Sequence, residues 1–283
     1  MSSTRALLVE GAGRVGLPYG LFSQVAMRPT DERWQFGVQW ERLPADPLDG
    51  IGDAANADPE NEVEGLPKSL TKNWQDPGTA SPFTVYGYFT GSPAGISVQD
   101  AQERAISHLQ NREEHRVEQA LWTGDLDNSP SLRSATANSD TSALPLEYGL
   151  GWLEEISAQE FGSQGVIHMT RGAALQALGD YVVVAAGGRL TTQLGTPVIA
   201  GSGYDGSGPG EAGSAAAGTS WAYVTPPLFG YRSEVFTSSN RPGDLLDRGK
   251  NNLTAIAERT YLLGYDDFGV YGTLLSLATP AAA

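Results

Sequence analysis

Few residues in this chain have types and spacing that could do chemistry. Gly11, Gly13 and Gly16 match the spacing of a dinucleotide-binding turn and follow the apolar run Ala-Leu-Leu-Val. Such glycines must open a helix whose N-terminus receives a pyrophosphate. Here Pro18 and Gly20 stand where that helix would run, and no acidic residue ends a second strand about 20 residues on. The match is a coincidence of spacing. His108 and His115 are seven residues apart on a helical pattern, which separates them by roughly 10 Å, too far to share a metal ion. His168 lies in an apolar strand pattern and reads as a packed core residue. No serine sits in G-x-S-x-G, and the glycine-rich run after Gly201 lacks the Gly-Lys-Ser/Thr ending of a phosphate loop. Glu154-Glu155 and Asp266-Asp267 are adjacent pairs that read as solvated faces. Lysine usage is less bland: Lys68, Lys72 and Lys250 stand against fifteen arginines. Lys68 and Lys72 fall in a long acidic stretch, and Lys250 directly precedes Asn251-Asn252. No constellation here supports an ordinary active site, a cofactor site or a metal site.

Composition narrows the classes further. At 283 residues the chain can bury one large core or two ordinary ones. Charged residues are sparse at 18%, while 35 glycines and 17 prolines point to long loops and β structure. A net charge of −15 argues against a dedicated nucleic-acid binder, though not against enclosing nucleic acid without gripping it. The absence of cysteine excludes disulfides and thiolate chemistry. The first residues lack the apolar core of a signal peptide, and no apolar run approaches 18 residues. The expectation is a soluble protein made in the cytosol, with no membrane partner.

The element with the clearest ends runs from Ser97 to Gly124. Ser97 can cap a helix whose third residue is Asp100, and Gly124 can close it in the left-handed conformation. The pattern predicts one helix of roughly 39 Å. Val98, Ala101, Ala105, Ile106, Leu109, Val117, Ala120 and Leu121 share one side, but Arg112, Glu113 and Arg116 interrupt that side at its waist. A helix inside one compact core does not do this. Arg112, Glu113 and Arg116 are therefore expected to meet the loop or arm of another chain; a surface helix with snorkelling arginines is the bland alternative.

Around this helix the chain reads in order. Residues 1–32 read as an extended arm. Arg33–Trp40 and Phe83–Thr90 alternate as strands, with a long acidic, proline-rich segment between them that would project as a hairpin. Further helices are expected at Leu146–Phe161 and from Thr170 to Leu178. Short strands follow at 165–169, 181–186, 190–193 and 197–200. Residues 201–220 read as a flexible glycine-rich run, and 221–225 and 231–237 resume strands. Leu253–Tyr265 and Phe268–Leu277 read as a final strand pair joined by the turn at Asp266-Asp267.

This order resembles the major capsid proteins of tailed bacteriophages with the Hong Kong 97-like fold, and most of all those of phages infecting actinobacteria. The resemblance rests on RVEQALWTG at the end of the long helix, on GYDGSGPG, and on NNLTAIAERTYLLGYDDFGVYGTLLSL. It implies an α+β fold with an N-terminal arm (1–32) lying across a neighbour and an extended β-hairpin loop with its flanking strands (33–92). It further implies a peripheral domain with the long spine helix (93–149), an axial domain (150–245), and C-terminal strands (246–283) returning to both domains. The implied function is a non-enzymatic shell subunit. It would assemble into pentamers and hexamers of an icosahedral virion enclosing double-stranded DNA, built in the host cytoplasm with a separate scaffolding protein, a portal and possible decoration proteins. The competing readings are an encapsulin-type nanocompartment shell and a dinucleotide-binding enzyme using the N-terminal glycines.

The founding member of that family joins its subunits by an isopeptide bond between a loop lysine and an asparagine, assisted by a glutamate. By resemblance, Lys68 or Lys72 would be the amine, Asn251 or Asn252 the acceptor, and Glu258 the proton acceptor. A lysine must lose its proton before it attacks an amide, and a desolvated carboxylate can take it. The alternative is that Glu258 is an ordinary strand residue and that the lysines make salt bridges.

Overall fold

The computed structural model describes residues 16–28, 34, 36–42, 77–92, 96–137, 142–210, 215–237, 246–247, 252–266 and 269–277. The chain begins with a short helix α1 (Leu21–Gln24) and strand β1 (Met27–Arg28). Strands β2 (Val38–Trp40) and β3 (Gly78–Ala80) pair antiparallel, Val38 opposite Ala80, and so form the base of the hairpin expected around the acidic segment. Strand β4 (Phe83–Gly91) alternates buried and exposed residues from Phe83 to Tyr88, as its sequence period demands. It does not pair with the earlier aromatic strand, which shrinks to β2.

Two helices then take the place of the single one expected. They are α2 (Val98–Gln110) and α3 (Glu113–Thr123). Both ends follow the sequence. Ser97 and Asp100 form a reciprocal capping box at 3.0 Å in each direction, and Gly124 closes α3 at φ 81°. The break lies at Asn111–Arg112, where the Arg112 amide turns back to Leu109 and its φ opens to −134°.

After α3 come strands β5 (Thr136–Ala137) and β6 (Leu144–Pro145), helix α4 (Leu146–Phe161), strand β7 (Val166–Thr170) and helix α5 (Arg171–Gly179). The Thr170 hydroxyl accepts the Ala173 amide and caps α5. Strands β8 (Val183–Ala186), β9 (Arg189–Thr192), β10 (Pro197–Gly201), β11 (Thr219–Thr225), β12 (Phe229–Arg232), β13 (Phe236–Thr237), β14 (Leu246–Asp247), β15 (Asn252–Gly264) and β16 (Tyr271–Ser276) complete the chain.

The two last strands do not pair with each other. Strand β15 is the spine of a six-stranded sheet. It runs antiparallel to β4 along nine residues on one edge, and to β12, β13 and β14 on the other. Strand β16 enters an eight-stranded sheet, next to β11, in the order β5-β16-β11-β7-β10-β9-β8, with β6 also pairing with β16. The acidic turn is thus a crossover between sheets, and the Asp266 carboxylate accepts the Trp40 indole N–H at 2.6 Å.

Two apolar cores form. In the first, helices α2 and α3 bury Val85, Leu109, Val117, Leu121, Trp122, Ala255 and Tyr261 against the six-stranded sheet together with Ile199 and Tyr223 of the eight-stranded one. Helices α4 and α5 cover the eight-stranded sheet and bury Leu150, Leu153, Ile167, Met169, Ala173 and Val198. This is an α+β fold with two helix-on-sheet layers.

Candidate functional site

Of the charged waist, Glu113 faces inward, onto its own chain. Glu113, the first residue of α3, receives the Arg259 guanidinium at 2.8 Å on both carboxylate oxygens and the Tyr261 hydroxyl at 2.6 Å. Both acid and guanidinium are nearly buried, so the pair acts as a clip between α3 and β15. Burial, then the Glu113 carboxylate, pushes the Tyr261 phenol above its usual range. Its ring also stacks on Phe22 and Phe83, at 5.7 and 6.1 Å.

Two further glutamates hold the other segments. Glu118 is 0% exposed. One of its oxygens accepts the Leu21 amide at 3.0 Å. The other accepts the Ser202 amide at 2.6 Å, the Ser202 hydroxyl at 2.9 Å and the Gly203 amide at 2.8 Å. Glu114 accepts the Phe22 amide at 2.9 Å. Its carboxyl is raised by burial, opposed by the Phe22 amide, with Glu118 and Glu113 adding to the rise and Arg171 reducing it. Helix α3 is thus a hub on which three acids fix β15, the N-terminal segment and the end of β10.

The described part of the N-terminal segment lies on its own chain. Arg171 donates to the Pro18 carbonyl at 2.9 Å, and the Ala200 amide donates to the Tyr19 carbonyl at 2.8 Å. Leu21 is fully buried, and β1 pairs parallel with β12. The described residues 16–28 are thus packed on their own chain, and residues 1–15 lie outside the described residues. The reason is local: Gly20 has no Cβ, and one would meet the carboxylates of Glu114 and Glu118.

The glycine-rich run departs from expectation in its first half. Between Gly201 and Gly208 only Asp205 is exposed. Tyr204 lies 4.7 Å from Trp122, whose indole N–H donates to the Ser207 carbonyl, as does the Tyr223 hydroxyl at 2.9 Å. A Cβ on Gly203 would collide with the His115 carbonyl and the Gln119 amide of α3. These glycines serve close approach rather than freedom. Tyr204, a large ring inside a glycine run, was the signal that could have shown it.

The remaining expected residues scatter. Arg112 is exposed, and Arg116 is half-buried with its guanidinium on the Gln119 amide oxygen. His108 bonds the Tyr88 carbonyl through Nδ1 at 2.8 Å, and His115 lies one helix segment further on, so the two form no common site. His168 is buried between the Tyr204 hydroxyl at 3.0 Å and the Thr225 hydroxyl at 3.1 Å. Burial pushes its pKa down to about 3. Among the described residues no group of three or more histidines and acids could hold a metal ion. Lys68, Lys72 and Asn251 lie outside the described residues. Asn252 begins β15 opposite Asp247, and Glu258 stands exposed on the same strand, opposite Tyr86 and Phe236. Six residues of strand separate Asn252 from Glu258 by roughly 20 Å. Within one chain, then, Glu258 cannot take a proton from a reaction at Asn252.

The outer face of β4 and β15 is partly apolar. Tyr86 and Tyr88 are 62% and 59% exposed, Ile256 stands opposite Tyr88, and threonine pairs Thr84–Thr260 and Thr90–Thr254 close each end at 3.2 and 3.1 Å. An arrangement of this kind can form contacts.

No protein-family model matches the chain, and no curated protein matches it. Solved structures do match along nearly its whole length. A chain from Mycobacterium phage Ogopogo is 13% identical with a TM-score of 0.61, over 96% of this chain and 97% of that one. A chain of the holo-SrpI encapsulin complex from Synechococcus elongatus is 9% identical with a TM-score of 0.57, over 99% and 95%. A chain from the capsid of a native GTA particle is 12% identical with a TM-score of 0.53, over 99% and 96%. What the chain shares with all three is its fold.

Proposed function

We propose that this chain is a shell subunit: a non-enzymatic major capsid protein of a tailed bacteriophage that self-assembles into pentamers and hexamers around double-stranded DNA. The observation that carries this reading is the end-to-end fold likeness to a GTA capsid chain and an encapsulin chain, covering at least 95% of each partner's length. Nearly all of one fold is reproduced, with no inserted domain large enough for a separate activity. The site chemistry points the same way. The buried acids are spent on holding segments of the chain together, while the exposed groups are broad and aromatic, suited to extended contact. Many modest contacts of that kind become a cooperative shell through effective concentration.

On this reading residues 93–149 supply the peripheral domain, 150–245 the axial domain, and the hairpin based on β2 and β3 the extended loop. A scaffolding protein, a portal and decoration proteins would be its partners, and the virion its place. Arg112 and Arg116 would contact a neighbouring subunit. An isopeptide bond from Lys68 or Lys72 to Asn251 or Asn252 would need Glu258 from a chain other than the one that supplies the asparagine. Denaturing electrophoresis of mature particles tests it: a single band near the chain mass of 29.9 kDa excludes the bond.

The encapsulin likeness favours a second reading, a nanocompartment shell loaded with protein cargo. Electron microscopy of the expressed chain, alone and with its scaffold, is the decisive experiment. Closed shells support the proposal, DNA or protein inside separates the two readings, and failure to form shells under either condition overturns both.

A further inference from the structure

Strand β4 is an edge. It pairs with β15 on one side, and among the described residues no strand pairs with the other. Its nine residues include no charged residue and no proline, the devices that ordinarily keep an edge from pairing. We propose that this edge pairs antiparallel with the same edge of a second copy, about a two-fold axis through Gly87, and so joins the six-stranded sheets of two subunits into one.

Hydrogen-bond direction supplies the first argument. Thr260 turns both backbone groups away from β4: its carbonyl accepts the Ser233 amide and its amide donates to the Ser233 hydroxyl, each at 3.0 Å. Antiparallel neighbours alternate in this respect. Thr84, which stands opposite Thr260, and with it Tyr86, Tyr88 and Thr90, therefore aim amide and carbonyl out of the free edge. The His108 imidazole, which donates to the Tyr88 carbonyl at 2.8 Å, reports the same direction from outside the sheet. That carbonyl keeps a second lone pair. A cavity of about 560 Å³ lies along residues 86–90, beside His108 and Arg112, so there is room for an incoming backbone.

Self-complementarity supplies the second, and names the occupant. Read outward from Gly87, the strand has Tyr86 and Tyr88, then Val85 and Phe89, then Thr84 and Thr90. An antiparallel pairing centred on Gly87 sets Tyr86 of one copy opposite Tyr88 of the other, and Thr84 opposite Thr90. These are the four residues whose backbone groups point outward, so each pair exchanges two hydrogen bonds. A register shifted by one residue would face them with inward-turned groups. A two-fold contact needs this property, because one patch must fit itself. On the outer face Tyr86 and Tyr88 are exposed, with ring centroids 6.5 Å apart. The axis brings four such rings side by side and leaves their hydroxyls in water. On the inner face α2 packs against both β4 and β15, so its axis lies inboard of the edge. At one strand spacing the two α2 helices come to about 10 Å, an ordinary packing distance. The pairing does not rest on the shell reading.

The chain has no cysteine, so a disulfide reports the register directly. Thr84→Cys and Thr90→Cys are made as separate chains and mixed before mild oxidation. In the proposed register the two cysteines of a mixed pair have Cα atoms about 5.5 Å apart, inside the disulfide range. In a pair of identical variants they stand six strand positions apart, roughly 20 Å. The mixture is expected to give a dimer band on non-reducing electrophoresis, and either variant alone is not. A mixture that yields no more dimer than its components overturns the proposal. Analytical ultracentrifugation of the cysteine-free chain is the second readout. The native chain is expected to dimerise. Tyr86→Lys, which sets a charge on an exposed strand position and leaves the β15 pairing alone, should weaken the dimer about tenfold with an unchanged thermal melt. A monomer at every concentration, or a dimer indifferent to Tyr86→Lys, overturns the pairing. Shell formation is scored separately by microscopy. Shells without the mixed disulfide sink the pairing alone, and the mixed disulfide without shells supports the pairing while the shell reading fails.

Discussion

Glu118 and Gly203 meet where helix α3 touches the end of β10: the carboxylate accepts the Gly203 amide at 2.8 Å, and the glycine backbone rests directly on the helix. The same carboxylate binds Ser202 and Leu21, so one side chain ties three segments together. Removing it strands three buried backbone donors, each worth about 1–3 kcal/mol. Glu118→Ala is expected to cost on the order of 3–6 kcal/mol, and Glu118→Gln, which keeps one oxygen, roughly half of that. Urea melts of the unassembled subunit check both values.

Glycine packing gives a matched pair. Gly203→Ala would bring its methyl group within 2.7 Å of the Gln119 amide and closer still to the His115 carbonyl, backbone that cannot yield cheaply. A loss of about 1–3 kcal/mol or more is expected. Gly151, exposed in the middle of α4, has nothing within 4 Å of a built Cβ. Gly151→Ala is expected to stabilise by about 0.5–1 kcal/mol. Thermal melts that move both variants in the same direction would contradict this account of the glycines.

The Glu113–Arg259 clip is nearly buried, so breaking it leaves a charge without a partner. Arg259→Ala is expected to cost about 3–5 kcal/mol. The double variant with Glu113→Gln should cost clearly less than the sum of the two single losses. A double-mutant cycle by denaturant unfolding reads the coupling, and strict additivity would mean that the clip carries no shared energy.

His168 gives the fold a sign-definite response to acid. Its folded pKa of about 3 lies below the unfolded value of 6.5. Between those values the unfolded chain holds a proton that the folded chain lacks, so stability rises with pH. The contribution is complete above 6.5 and drains away as pH falls toward 3, by about 1.4 kcal/mol per pH unit. Moving from pH 7 to pH 5.5 should therefore cost the native chain about 1–2 kcal/mol more than His168→Gln. Melts at the two values, above the range where carboxylates titrate, make the comparison.

Local signals read well wherever the physics is local. The capping box at Ser97, the left-handed Gly124, the Thr170 cap and the two-residue period of Phe83–Tyr88 are all set by neighbours within four residues. What distant residues decide was not legible. Nothing between Ser107 and Arg116 breaks a helix by itself; the break accompanies the seating of Glu113 against Arg259 and Tyr261, about 150 residues away. The pairing of β4 with β15, and the split of β15 and β16 between sheets, follow from the same kind of distant choice. In Gly201–Gly208 one residue type signals two opposite things, and only Tyr204 tells close packing from freedom. The charge pattern at the waist of the helix marks a polar contact but not its partner: Glu113 meets its own strand β15.

Strand β15 lies at the centre of one sheet and β16 inside the other, and both follow every other described strand along the chain. Strand β4 leaves the ribosome about 160 residues before its partner exists. At roughly 5–20 residues per second, that is about 10–30 seconds during which a nine-residue edge, its tyrosines and the apolar side of α2 wait uncovered. Neither core can close before β15 and β16 have emerged, so the chain commits to its fold almost at once and only then. Loss of β15 and β16 would therefore disable both cores together.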